Sequence, residues 1–260
     1  MDIAYTVSGF VVGFVVGLTG VGGGSLMTPI LVILFGIKPT IAVGTDLLYA
    51  AITKCGGIVV HHRQETIRWD IVGLLSLGSL PASGITVWLL KSLEAQGVDY
   101  TRLITSTLGI ALILTSLVLL FKRRITLLSK NERFAAIRTA HRRMRTPLTV
   151  LTGVILGVLV TLTSVGAGAL GAAALFFLYP RLPAVSIVGS DLAHAVPLTA
   201  VAGLGHMQLG TVDFALLGSL LVGSLPGIYL GSHLGIRLPE RVVRPALAGM
   251  LLMIGLRFAL

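Results

Sequence analysis

Apolar residues run along this chain in long blocks separated by short polar breaks. The blocks cover roughly residues 3–37, 41–60, 71–90, 103–121, 147–179, 184–205, 214–236 and 242–260. A spanning helix needs about 20 mostly apolar residues. Backbone donors inside lipid must be paired, so all eight blocks are read as helices. The pattern predicts an all-α polytopic membrane protein.

The first and fifth blocks are too long for one crossing. A straight helix of about 33 residues reaches about 50 Å, against a hydrocarbon core of about 30 Å. Each carries a glycine cluster near its middle. In the first it is Gly17-Leu-Thr-Gly20-Val-Gly-Gly-Gly24-Ser25, and in the fifth Thr163-Ser164-Val165-Gly166-Ala167-Gly168-Ala169. Each glycine weakens a helix by about 1 kcal/mol relative to alanine. A break with two shorter arms accounts for the length and the glycines together. Close helix packing through small residues is the other reading.

The chain also repeats itself at an offset of about 145 residues. Gly44-Thr45-Asp46-Leu47 matches Gly189-Ser190-Asp191-Leu192, His61 matches His206, and Gly78-Ser79-Leu80-Pro81 matches Gly223-Ser224-Leu225-Pro226. The glycine clusters align at 144, with Thr19 on Thr163, Gly22 on Gly166 and Gly24 on Gly168. This divides the chain into a membrane repeat over 1–121, a connector over 122–146 and a second repeat over 147–260. Duplication combined with broken helices is a transporter pattern, with the site where the unwound parts meet.

Composition agrees with the pattern. Hydrophobic residues make up 55% and charged ones 12% of the 260 residues, and mean hydropathy is +0.96. A globular domain is about 25% charged. The net charge of +10 would suggest nucleic acid in a soluble protein, but it is concentrated in one place. Lys122, Arg123, Arg124, Lys130, Arg133, Arg138, Arg142, Arg143 and Arg145 are nine of the 20 basic residues, opposed there by Glu132 alone. No nucleic-acid role is expected. The connector reads as cytoplasmic by the positive-inside rule, with a short amphipathic helix against anionic lipid headgroups. Met1-Asp2-Ile3 lacks a basic n-region, so the first block is read as mature membrane structure.

Orientation then depends on the crossing count. If each broken block crosses once, 12 Lys/Arg lie inside and seven outside. If each enters and returns on one side, the balance is 15 to four and the halves form an inverted repeat. The second arrangement obeys the rule better.

Polar groups inside a membrane are expensive and mark function. Lys54 can supply a positive charge for an anion; snorkelling to the interface is its bland reading. Asp46 and Asp191 read as proton or gating groups, or as helix N-caps. His194 is a third proton-handling candidate, and a histidine that merely hydrogen-bonds in the bundle is the alternative. The glycine clusters offer unpaired N–H groups at the positive ends of new helical arms. Thr19, Gly22, Gly23, Gly24, Ser25, Thr163, Ser164, Gly166 and Gly168 are therefore candidate anion contacts with Lys54. No Walker loop, metal-ligand set or nucleophile–base pair is recognisable, so no enzyme activity, cofactor or metal is expected.

Gly17-Leu-Thr-Gly-Val-Gly-Gly-Gly-Ser-Leu-Met-Thr-Pro29, Ala42-Val-Gly-Thr-Asp46 and their degenerate second copy resemble the TauE/SafE sulfite-exporter family, within the toluene-sulfonate uptake permease superfamily. The second copy departs from the pattern, since no proline follows at the position matching Pro29. The resemblance implies a bacterial inner-membrane permease for small sulfur-containing anions such as sulfite or sulfonates, with proton coupling as its candidate energy source. A passive anion channel and a membrane assembly or scaffold protein are the alternatives. A homodimer stays open.

Overall fold

The computed structural model describes residues 3–19, 26–129, 135–234 and 240–259, with side chains left out at 18–19, 60, 122–129, 135–143, 232–234, 240–244 and 246. Ten helices run through them: α1 (Ile3–Thr19), α2 (Met27–Ile33), α3 (Pro39–Arg63), α4 (Trp69–Ala95), α5 (Thr101–Ser129), α6 (Ala135–Thr163), α7 (Ala169–Leu178), α8 (Ala184–Gln208), α9 (Phe214–Leu234) and α10 (Glu240–Ala259). No strand occurs among the described residues. Six helical stretches there are long and apolar enough to cross a membrane: Pro39–Arg63, Trp69–Ala95, Thr101–Phe121, Met144–Thr163, Ala184–Gln208 and Phe214–Gly231. The connector is helical from both sides, because α5 runs to Ser129 and α6 starts at Ala135. The separate short helix expected there is instead the continuous start of α6. A proline at Pro147 does not end that helix.

The fifth block breaks between α6 and α7, and the chain then doubles back. Leu156 of α6 lies against Gly171 of α7. Tyr179, just past α7, pairs its hydroxyl with Thr149 near the start of the membrane part of α6, at 2.9 Å. The first block behaves alike, because the Tyr5 ring of α1 meets Phe35, just past α2, with centroids 4.9 Å apart. Tyr5 and Thr149 differ by 144 positions, as do Phe35 and Tyr179. Both broken blocks are therefore helical hairpins whose ends lie together.

In a Cys55→Ser background, the paired changes Tyr5→Cys and Phe35→Cys are expected to join through a short bis-maleimide reagent. A block that crossed once would hold these positions about 30 Å apart, near the full hydrocarbon thickness. Absence of the cross-link in folded protein would contradict the hairpin.

Each hairpin lies along a helix from the other half of the chain, α1 along α9 and α6 along α4. Glycine makes this approach close. A Cβ on Gly9 would sit 2.4 Å from the Leu220 carbonyl oxygen, and one on Gly223 would sit 1.9 Å from that of Thr6. On the other pair, a Cβ on Gly153 would sit 2.2 Å from the Leu75 oxygen and one on Gly78 2.1 Å from that of Val150. Without water between helices, van der Waals packing of this kind replaces the hydrophobic effect as the association force. The pairs α3·α8 and α5·α10 complete the bundle.

The Gly-Thr/Ser-Asp motif acquires a structural meaning here. Gly44 leaves room for Thr211, with a Cβ there falling 2.4 Å from the Thr211 carbonyl oxygen, and Gly189 leaves room for His61 at 2.8 Å. Thr45 Oγ1 accepts the Asp213 N–H at 3.1 Å, and Ser190 Oγ accepts the Arg68 N–H at 2.9 Å. The first two motif positions thus tie one half's helix to the turn of the other. The aspartate is left pointing inward, since Asp46 and Asp191 are both buried.

Outside the apolar spans, Asp99 opens α5. It accepts the Thr101 N–H at 2.8 Å, and bonds from the Thr101 hydroxyl and amide hold its carboxyl below the usual range.

Candidate functional site

The hairpin tip between α6 and α7 is built by backbone conformations that few residues adopt. Ser164 has φ +57°, Gly166 +120° and Gly168 +127°. Only glycine takes the last two without strain. Thr163 Oγ1 accepts the Val165 N–H at 3.1 Å and donates to the Leu159 carbonyl at 2.7 Å. Its hydroxyl therefore builds the tip. Ser164 Oγ is buried with no hydrogen-bond partner.

Lys54 reaches this tip from α3. Its Nζ donates to the Ala167 carbonyl at 3.3 Å, and the residue is 6% exposed. The side chain therefore turns into the protein and does not snorkel outward. The charges of Asp191 and Asp46 both act on Lys54, yet the ion pair Arg68–Asp70 is the one closer than 4.0 Å among the described residues. The cation is flanked by acids and locked to neither.

Both aspartates lie two turns inside their helices, α3 and α8, so the N-cap reading fails. The helices start earlier because prolines open them: Pro39 is the first residue of α3, and Pro183 precedes α8. Proline's fixed φ suits these positions. Each carboxylate instead faces the start of a short hairpin arm. Asp46 Oδ2 accepts the Thr28 N–H of α2 at 3.2 Å and also takes the Thr28 hydroxyl. Asp191 lies against the first turn of α7, at Gly171. A Cβ on Gly171 would fall 2.0 Å from Asp191 Oδ1, so glycine is required for the approach. The protein's own carboxylates thus occupy the positive helix ends where a solute anion was expected.

His194 lies one turn past Asp191 and is fully buried. Its Nε2 pairs with Ser79 Oγ at 2.7 Å. His194 Nδ1, Asp46 Oδ1 and Asp191 Oδ1 are buried without partners. Most buried polar atoms in proteins are paired. Several unpaired ones lie around one buried lysine here. By contrast, His206 bonds through both nitrogens, to Thr211 Oγ1 and the Thr161 carbonyl at 2.9 Å each. His61 Nδ1 meets Thr66 Oγ1 at 2.8 Å. These two histidines hold turns.

The structure brings together Lys54, Asp46, Asp191, His194, Ser164, Gly166 and Gly168. Gly22, Gly23, Gly24 and Ser25 lie outside the described residues, as does the side chain of Thr19. Thr28 and Ser79 join the cluster without having been singled out from the sequence. Ser79 was within reach there, because it belongs to the repeated Gly-Ser-Leu-Pro. Thr28 carries no repeat signal, since its counterpart is Ala172, but it lies inside the Gly17–Pro29 motif.

Buried charge at the tip of a broken helix inside an apolar bundle is an arrangement that multi-pass membrane transporters use. The chain belongs to the sulfite exporter TauE/SafE family, whose model matches residues 5–258. It is 38% identical over 257 residues to the probable membrane transporter protein YjnA of Bacillus subtilis, covering 99% of each chain. It is 26% identical over 254 residues to the probable membrane transporter protein YdhB of the same organism, covering 94% of this chain and 97% of the relative. A probable membrane transporter protein of Xylella fastidiosa is 27% identical over 234 residues, covering 89% of this chain and 84% of the relative. No solved structure matches.

Proposed function

We propose that this protein is a secondary carrier of small sulfur-containing anions, such as sulfite or organosulfonates, in the bacterial inner membrane. The carrying observation is that Lys54, Asp46, Asp191 and His194 converge on the hairpin tip while being at most 6% exposed. A sealed charged site must be opened by rearrangement, which favours alternating access over an open channel. The reading is of a carrier and not an enzyme.

The two halves are taken as an inverted duplication. Supporting this, contacts recur at matched positions: Thr45 with Asp213 and Ser190 with Arg68, His206 with Thr211 and His61 with Thr66. The hairpins open on opposite faces if α3, α4, α5, α8, α9 and α10 each cross once. The segment 122–145 then sits in the cytoplasm, beside the α6–α7 mouth and the anionic inner leaflet.

Coupling follows from competition at the arm ends. While ionised, Asp191 occupies the positive start of α7 and screens Lys54. Protonation removes that charge, leaving the positive end of α7 and an ammonium to face an incoming oxyanion. Anion and proton then enter together, and net charge in the site changes little. His194 Nδ1 is the adjacent group able to relay the proton.

The test is Asp191→Asn in proteoliposomes. The variant imitates the protonated state, so flux is expected to lose its dependence on an imposed pH gradient while binding persists. Flux that follows the gradient as in wild type would remove Asp191 from the coupling.

A further inference from the structure

Where α7 ends, three arginines face one cavity. Arg68, Arg145 and Arg181 line a space of about 200 Å³ with Ile71, Tyr179 and Leu182. That is below the roughly 300–1,000 Å³ of sites for drug-sized ligands, so the occupant is small or enters by a headgroup. Arg68 has a carboxylate partner, since Asp70 accepts from its Nε and Nη2 at 3.1 Å each. Arg145 and Arg181 have no ion pair among the described residues.

Arg145 is nevertheless held in place. Its guanidinium lies over the Tyr179 ring, 5.7 Å from the centroid. Thr149 Oγ1 donates to the Arg145 carbonyl at 2.7 Å, so the Tyr179 hydroxyl donates in turn to Thr149. Arg145 Nε is buried with no hydrogen-bond partner. An unpaired buried donor on a charged group is costly, and a negatively charged acceptor relieves it.

The fold does not need this cluster. In the matching first hairpin, Phe35 stands for Tyr179 and Ile37 for Arg181, and Asp213 matches Arg68. That mouth closes with a ring pair and carries no arginine at these positions. The arginine cluster is confined to one mouth of two similar hairpins.

We propose that the mouth of the α6–α7 hairpin is a second anion site, holding one sulfate- or phosphate-type group between Arg145 and Arg181 with Arg68 at the rim. Guanidinium forks match pairs of oxyanion oxygens bidentately. The group belongs either to a soluble oxyanion or to the phosphate of an anionic lipid. The inference does not rest on the transport reading, because binding is measured without flux.

The experiment is thermal unfolding of the full-length protein in detergent. Sulfate is titrated against chloride at constant ionic strength, and phosphatidylglycerol is compared with phosphatidylcholine. Wild type is expected to be stabilised by sulfate or phosphatidylglycerol. The apparent affinity is expected to fall about tenfold or more when Arg145→Gln and Arg181→Gln are combined, as loss of charge-assisted bonds implies. Arg181→Gln alone, at an exposed position, serves if the double variant does not fold. The response is expected to survive Lys54→Met, which separates this site from the central one. Loss of the sulfate response assigns a soluble oxyanion, and loss of the phosphatidylglycerol response assigns a lipid phosphate. No stabilisation of wild type by either, or equal responses in wild type and the arginine variants, would overturn the proposal.

Discussion

Lys54→Met is expected to lower anion flux by about 30-fold or more while leaving folded protein in the membrane. Removing one partner from a buried charged cluster costs about 2–5 kcal/mol of binding, and 1.4 kcal/mol is tenfold. Here the lost partner is the ammonium held against Ala167 between Asp46 and Asp191. Folding survives because both acids can take up protons once the cation is gone. Lys54→Arg is expected to recover part of the flux: it keeps the charge but not the compact head that donates to a single carbonyl. Initial rates normalised to monodisperse protein in the vesicles give the measurement. Wild-type rates in Lys54→Met would exclude a role in the anion site.

Gly223→Leu is expected to prevent assembly, with a cost of about 3 kcal/mol or more from overpacking. The obstacle is backbone, because the new Cβ would fall 1.9 Å from the Thr6 carbonyl oxygen and 2.8 Å from the Phe10 nitrogen. Neither can swing away as a side chain can, so α1 and α9 must separate along their length. Gly78→Leu is expected to do the same between α4 and α6, where the Val150 oxygen is 2.1 Å from the added atom. Gly218→Leu, on the same helix as Gly223, meets nothing within 4 Å and is the control. Size-exclusion profiles and thermal midpoints in detergent distinguish the three. A monodisperse Gly223→Leu with an unchanged midpoint would contradict the packing described.

Much of this was legible in the residues. The length of the fifth block and its Thr163–Ala169 glycines pointed to a break, and Ser164 and Gly168 flank it in the structure. Lys54 stood out because it lies deep in an apolar block. Its partner could not be read, because Ala167 is 113 residues away and contributes only a backbone carbonyl. Asp46 and Asp191 looked like helix openings because glycine and a hydroxyl residue precede them. Those neighbours turned out to serve contacts with the opposite half, at Asp213 and Arg68, and such contacts leave no local trace in a sequence. The open helix ends expected to receive an anion are met by these same aspartates. That occupancy depends on two helices crossing, not on any spacing along one. Arg181 was invisible as part of a site, being one of many basic residues until the hairpin set it beside Arg145.

Carriage of a small sulfur oxyanion at the charged tip of the α6–α7 hairpin follows from the proposed function. Its most direct measurement is flux in proteoliposomes with sulfite, an organosulfonate and sulfate, each with and without a pH gradient, for wild type and Lys54→Met. Uptake of at least one sulfur anion is expected, driven by the gradient in wild type and lowered by about 30-fold or more in the variant. No uptake of any of the three, or equal uptake in both proteins, would contradict it.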